Sequence, residues 1–273
     1  GTISSTSGWS GTGNTATKTL NYGASYGTLP SVSRTGYTFK GWYTASSGGT
    51  QVTASTTMGA GNTTIYAQWT INSYTLTANA NGGSISTTTG WSGTGNTATK
   101  TLNYGASYST LPSVSRTGYT LKGWYTASSG GTQVTASTTM GAGNTTIYAQ
   151  WTINSYTLTA NANGGSITST GGWSGTGNTA TKTLNYGASY STLPSVSRTG
   201  YTLKGWYTAS SGGTQVTSST TMGRTNTTIY AQWTINTYTV TVTRSGNNRI
   251  THPTSINISA SGCTISDSSI AAG

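Results

Sequence analysis

The segment Y-T-L-T-A-N-A-N-G-G occupies Tyr74–Gly83 and recurs unchanged at Tyr156–Gly165. Its alternation puts Tyr74, Leu76 and Ala78 on one face and Thr75, Thr77 and Asn79 on the other, and Asn81-Gly82-Gly83 is a turn signal. The pattern predicts a half-buried strand running into a tight turn. Downstream, T-A-T-K-T-L-N-Y alternates through Ala98, Lys100, Leu102 and Tyr104, and Leu111-Pro112 marks an ordered bend. G-Y-T-L-K-G-W-Y alternates Tyr119, Leu121, Gly123 and Tyr125 against Thr120, Lys122 and Trp124. Ser128-Ser129-Gly130-Gly131 turns the chain into a short T-Q-V strand. T-T-I-Y-A-Q-W then closes the unit, with Ile147, Ala149 and Trp151 on one face. Any helix is at most a turn near Met140 or Ala106.

The unit is repeated. Trp9, Trp91 and Trp173 are 82 residues apart, as are Trp42, Trp124 and Trp206, and Trp69, Trp151 and Trp233. Residues 73–154 and 155–236 differ at six positions: Ser86/Thr168, Thr87/Ser169, Thr89/Gly171, Ala136/Ser218, Ala142/Arg224 and Gly143/Thr225. Such a period is too long for a solenoid unit and long enough for a small domain. The expectation is a mainly β chain of three tandem domains arranged as beads on a string: repeat one over 1–72, repeat two over 73–154 and repeat three over 155–236. A C-terminal β-strand tail follows over 237–273.

Composition narrows the function. Of 273 residues, 64 are Thr, 40 Ser and 39 Gly, and charged residues make up 5%. Asp267, His252 and Cys263 are single copies and Glu is absent. General acid–base and nucleophilic catalysis need a tuned His or carboxylate with a partner, and metal sites need several hard or soft ligands. The chain is therefore expected not to be an enzyme and to need no cofactor or metal. Thr and Tyr favour strands, Gly and Asn favour turns, and an aromatic content of 10% suffices for small cores. The formal charge of +11 is dilute, without a basic run. It reads either as the solubilising charge of an acid-poor surface or as attraction to glycans or an anionic cell-wall polymer. Nucleic acid is not expected, because a clustered basic stripe is missing. No stretch is apolar enough to insert in a membrane. A single Cys leaves no internal disulfide. With no signal peptide and Gly1 in first place, the chain is expected to be a processed chain or an excised fragment.

R-T-G-Y-T-F-K-G-W-Y-T at Arg34–Thr44, G-G-T-Q-V at Gly48–Val52 and T-I-Y-A-Q-W-T at Thr64–Thr70 together resemble the Listeria–Bacteroides repeat, which is similar to the B-repeats of internalins. The Tyr74–Gly83 segment resembles the first strand and turn of that family. The resemblance implies small β-grasp-like domains in secreted or bacterial cell-surface proteins, serving as stalk or adhesion modules, with no catalytic activity. Two features depart from it. Asn79 and Asn161 stand where the family usually has Asp, and the G-W-S-G-T-G segments (Gly8–Gly13, Gly90–Gly95, Gly172–Gly177) are not a family feature.

Aligned by period, Gly1 stands opposite Gly83, so repeat one is expected to lack the strand equivalent to Tyr74–Gly82. Beyond repeat three, Y-T-V-T-V-T at Tyr238–Thr243 matches that strand again. A sheet short of one strand exposes unpaired backbone groups and an open core, which a strand from another chain can complete. Because such a contact is heterologous, it propagates as a filament. Tyr238, Val240 and Val242 are the expected donor residues, making the chain its own partner in a head-to-tail homopolymer. The alternative is a surface adhesin or stalk fragment that binds glycans or anionic wall polymers. Trp42, Trp124 and Trp206, with Trp69, Trp151 and Trp233, are expected core anchors. Trp9, Trp91 and Trp173 are open to three readings: core, contact between repeats or subunits, and glycan platform. Lys18, Arg34 and Lys40, with their copies, are expected on solvated faces.

Overall fold

Alternating Thr and aliphatic residues, punctuated by Gly and Asn, form short strands throughout the computed structural model, which describes residues 1–241 apart from Thr6, Thr87, Thr88 and Thr170. Repeat one contributes β1 (Thr2–Ser5), β2 (Ser31–Ser33), β3 (Tyr37–Tyr43), β4 (Gln51–Val52) and β5 (Tyr66–Ile71). Repeat two contributes β6 (Ser73–Asn79), β7 (Ser84–Ile85), β8 (Thr97–Asn103), β9 (Val114–Ser115), β10 (Tyr119–Tyr125), β11 (Gln133–Val134) and β12 (Thr145–Ile153). Repeat three contributes β13 (Ser155–Asn161), β14 (Ser166–Ser169), β15 (Thr179–Asn185), β16 (Ser195–Ser197), β17 (Tyr201–Tyr207), β18 (Gln215–Val216) and β19 (Thr227–Ile235). There is no helix among the described residues, so neither Met140 nor Ala106 starts one and none crosses a membrane. The chain divides into two units, Gly1–Thr152 and Ile153–Gly273.

Repeats two and three each build a five-stranded mixed sheet, in the orders β8-β6-β12-β10-β11 and β15-β13-β19-β17-β18. Within a repeat this is the β-grasp order, with the first strand beside the last. β6 runs antiparallel to β8, from Ser73↔Asn103 to Asn79↔Thr97, and parallel to β12, from Leu76↔Thr145 to Asn79↔Tyr148. The first strand is thus central, and its inward face is fully buried: Leu76, Ala78 and Ala80 in repeat two, and Leu158, Ala160 and Ala162 in repeat three. They pack with Ile147, Ala149, Met140 and Trp124, and with their counterparts Ile229, Ala231, Met222 and Trp206. Burying one such aliphatic side chain stabilises by about 1.5–3 kcal/mol. A two-stranded ribbon in each repeat (β7-β9, β14-β16) adds Ile85 or Ile167 to the core.

Strict alternation fails in the G-Y-T-L-K-G-W-Y strand. Leu203 pairs with Trp233 and Trp206 with Ala231, with a register shift between Leu203 and Gly205. The bulge brings Trp206 onto the same side as Leu203, although three positions separate them. Repeat one has the same shift between Phe39 and Gly41. Gly41, Gly123 and Gly205 take φ of +145° to +147° at this point. A methyl group on Gly205 would come 2.6 Å from Gln215 Nε2.

Repeat one is different. Its main sheet has three strands, β4-β3-β5. The stretch 15–21, matching β8, forms no strand, and β5 begins at Tyr66 whereas β12 and β19 begin three positions earlier in the repeat. Thr145–Tyr148 are held by pairing with the first strand. Without that neighbour, Thr63, Thr64 and Ile65 of repeat one stay outside the ladder.

Candidate functional site

In the complete repeats several groups converge on the first strand. Asn144 Oδ1 accepts the Thr75 N–H at 2.8 Å, and Asn226 Oδ1 accepts the Thr157 N–H at 2.9 Å. At the strand's far end, Trp151 Nε1 and Trp233 Nε1 donate to the carbonyls of Ala80 and Ala162, each at 3.0 Å. Asn81 takes φ +50°, with its N–H bound by Asn79 Oδ1 at 2.8 Å. Its Nδ2 donates to the carbonyls of Ser128 and Ala149, both at 2.9 Å. Asn163 repeats the arrangement.

In repeat one the corresponding place is a groove of about 410 Å³. Ala16, Leu20, Met58 and Ile65 line its apolar floor, and Thr15, Thr17, Lys18, Thr63 and Thr64 form its sides. Ile65, Ala67, Ala16 and Met58 are half-buried, whereas their counterparts Ile147, Ala149, Ala98 and Met140 are buried. Asn62, the counterpart of Asn144 and Asn226, also lines the groove. Among the described residues no strand N–H reaches it. Lys18 also stands at the groove; its Nζ donates to the Tyr26 carbonyl at 2.8 Å and lies 6.0 Å from the centre of the Trp9 ring. The open ladder edges, half-buried apolar floor and free amide acceptor suit an extended peptide with alternating apolar side chains.

The model of the Listeria-Bacteroides repeat domain matches residues 7–68, 74–150 and 156–232. The chain belongs to this family. Internalin H of Listeria monocytogenes is 37% identical over 124 residues, which are 45% of this chain and 20% of that protein. The chain therefore spans about a fifth of the length of that relative.

Within these Listeria-Bacteroides repeats the tryptophans divide into two sets. Trp42, Trp124 and Trp206 are buried core anchors, and Trp151 and Trp233 pack against the core. Trp69 is half-buried, with its ring 5.4 Å from that of Phe39. Trp9 and Trp91 are half-buried and Trp173 is buried. Their Nε1 atoms donate to the carbonyls of Thr28, Thr110 and Thr192, each at 2.8 Å.

The basic residues do more than face solvent. Arg34, Arg116 and Arg198 lie 3.6–3.9 Å over the rings of Tyr37, Tyr119 and Tyr201. Lys100 and Lys182 donate to the carbonyls of Tyr108 and Tyr190. Such cation–π contacts sit naturally in a repeat without carboxylates. Burial raises the pKa of the Tyr108 and Tyr190 phenols above the ordinary tyrosine value.

Of the expected donor residues, Tyr238 and Val240 are exposed and Val242 lies outside the described residues, as do His252, Asn257, Cys263 and Asp267. The expected strand at Tyr238–Thr243 is not formed as far as Thr241. Tyr238 nevertheless begins as Tyr74 does: Asn236 Nδ2 donates to its hydroxyl at 3.4 Å, as Asn72 Nδ2 donates to the Tyr74 hydroxyl at 3.3 Å. In the sequence Asn62, Asn144 and Asn226 stand out only as the first residues of N-T-T sequons. Their recurrence just before T-T-I-Y was the available signal, but an acceptor role 69 residues along the chain is not written locally.

Proposed function

We propose that the chain is a secreted or cell-surface structural subunit that assembles head to tail, with Tyr238–Thr243 of one copy entering the first-repeat groove of the next. The observation that carries this reading is the groove itself, which lies where repeats two and three hold their first strand. By register, Val240 takes the place of Leu76 and Val242 that of Ala78, between the counterparts of Ala98 and Ile147, which are Ala16 and Ile65. Asn62 Oδ1 receives the Thr239 N–H. The extra methyl groups of Val242 meet the half-buried Ile65. Family membership and the likeness to an internalin support the surface or secreted setting.

Electron microscopy of three chains tests the reading: the full chain, a chain ending at Thr237, and the full chain with Val240→Asp. Filaments from the first alone, with a less stable first repeat in the other two, are the expected outcome. Monomers from all three at high concentration would overturn it. The groove would then be filled by another part of a longer protein, and binding of glycans and anionic wall polymers would be measured next.

A further inference from the structure

The junction between repeats one and two is built around Asn72. Its N–H donates to the Gly36 carbonyl at 2.9 Å, its Oδ1 accepts the Thr38 hydroxyl at 2.6 Å, and its carbonyl accepts the Tyr104 N–H at 2.8 Å. The Tyr104 ring lies against Gly36, where a methyl group would overlap it. The same ring meets Tyr37 edge-on at 6.2 Å, and Arg34 lies over the Tyr37 ring at 3.6 Å.

Repeat three carries the receiving half of this junction. Asn236 N–H donates to the Gly200 carbonyl at 2.9 Å, Thr202 donates to Asn236 Oδ1 at 2.7 Å, and Arg198 lies 3.8 Å over Tyr201. Among the described residues nothing lies within 4 Å of the place where a methyl group on Gly200 would stand. Gly36 is buried beneath Tyr104, whereas Gly200 is half-exposed. The delivering half stands on repeat one: Tyr22 occupies the position of Tyr104 in the period and is 81% exposed.

From these two unmatched halves we infer that Tyr22 of one copy docks on the Gly200–Tyr201–Asn236 face of another, repeating the contact of Tyr104 with Gly36, Tyr37 and Asn72. This inference rests on the fibre reading and adds a second contact to it. Strand exchange brings repeat one of the acceptor directly after repeat three of the donor. The junction between copies then copies the one within a chain: Asn236 O accepts the Tyr22 N–H, and the Tyr22 ring covers Gly200. The two contacts reinforce each other because each holds the other at high effective concentration.

Sedimentation of the full chain, read as the critical concentration for polymer formation, tests the inference. Tyr22→Ser is expected to raise it about tenfold, the loss of an aromatic contact with its buried area. Gly200→Ala should do the same by blocking the ring. Gly212→Ala at φ +65°, with nothing within 4 Å, controls for the backbone strain of alanine at the φ +78° of Gly200. The double variant Tyr22→Ser/Gly200→Ala should be no worse than the weaker single one, since both remove the same contact. Wild-type polymerisation by both single variants would overturn the inference and leave strand donation standing. Polymers from Val240→Asp that Tyr22→Ser abolishes would keep the junction and remove strand donation. A wild-type chain that stays monomeric overturns both.

Discussion

Asn163 shows how these repeats hold a turn without charge. Its φ of +49° suits a residue of the N-G-G turn, and its side-chain amide donates to the carbonyls of Ser210 and Ala231 at 2.9 Å each. Asn161 binds the Asn163 N–H at 2.8 Å. An amide oxygen thus performs a task open equally to a carboxylate, and adds no titrating group. Asn163→Gly keeps the backbone conformation and removes two hydrogen bonds, so urea unfolding should report a loss of about 1–3 kcal/mol. Asn163→Ala should cost about 1 kcal/mol more, because Ala tolerates the left-handed region poorly. Wild-type stability in both variants would mean that the amide is redundant.

Among the elements, the first strand decides the condition of its neighbours. Where it is present, the closing strand runs nine residues, Thr145–Ile153 or Thr227–Ile235, and Ile147 and Ile229 are fully buried. In repeat one the closing strand is Tyr66–Ile71 and Ile65 is half-buried. Ile147→Ala should therefore cost about 2–5 kcal/mol. Ile65→Ala in the unassembled chain should cost about 1 kcal/mol, since less area is removed from water. Hydrogen-exchange mass spectrometry on the peptides around each isoleucine reads both values. Equal losses in the monomer would mean that repeat one closes its core by itself. If assembly fills the groove, the Ile65→Ala loss should grow in the polymer.

For the molecule as a whole, the lack of acids shapes the pH response. The described residues contain no Asp, Glu, His or Cys, and the only acidic side chain in the sequence is Asp267. Acid unfolding arises mainly from protonating paired carboxylates, so it has little to act on here. Among the described residues the pressure comes from the alkaline side. Folding raises the pKa of Tyr108 and Tyr190, so the folded state holds those protons more tightly. Their contribution is fully present below the unfolded tyrosine value of about 10 and is lost as pH rises from there through the folded value. Melting temperature should therefore stay nearly flat from strongly acidic to mildly basic conditions and fall above about pH 10. A steep loss near pH 4 would contradict this account.

Periodicity and alternation made the β class, the period of 82 and the inward faces of β6 and β12 legible, because strand faces follow a local rule that one chain displays by itself. The match of Tyr238–Thr243 to the first strand was legible for the same reason. The bulge before Trp206 was not, although Gly205 hinted at it, because its effect depends on the register of β19 opposite. Nor were the partners of Asn144, Asn163 and Trp173, or the stacking of Arg198 on Tyr201. These side chains are polar or amphipathic at both surfaces and interiors. Only the approach of distant strands and turns determines which backbone group or ring each of them meets, and that approach belongs to the tertiary structure.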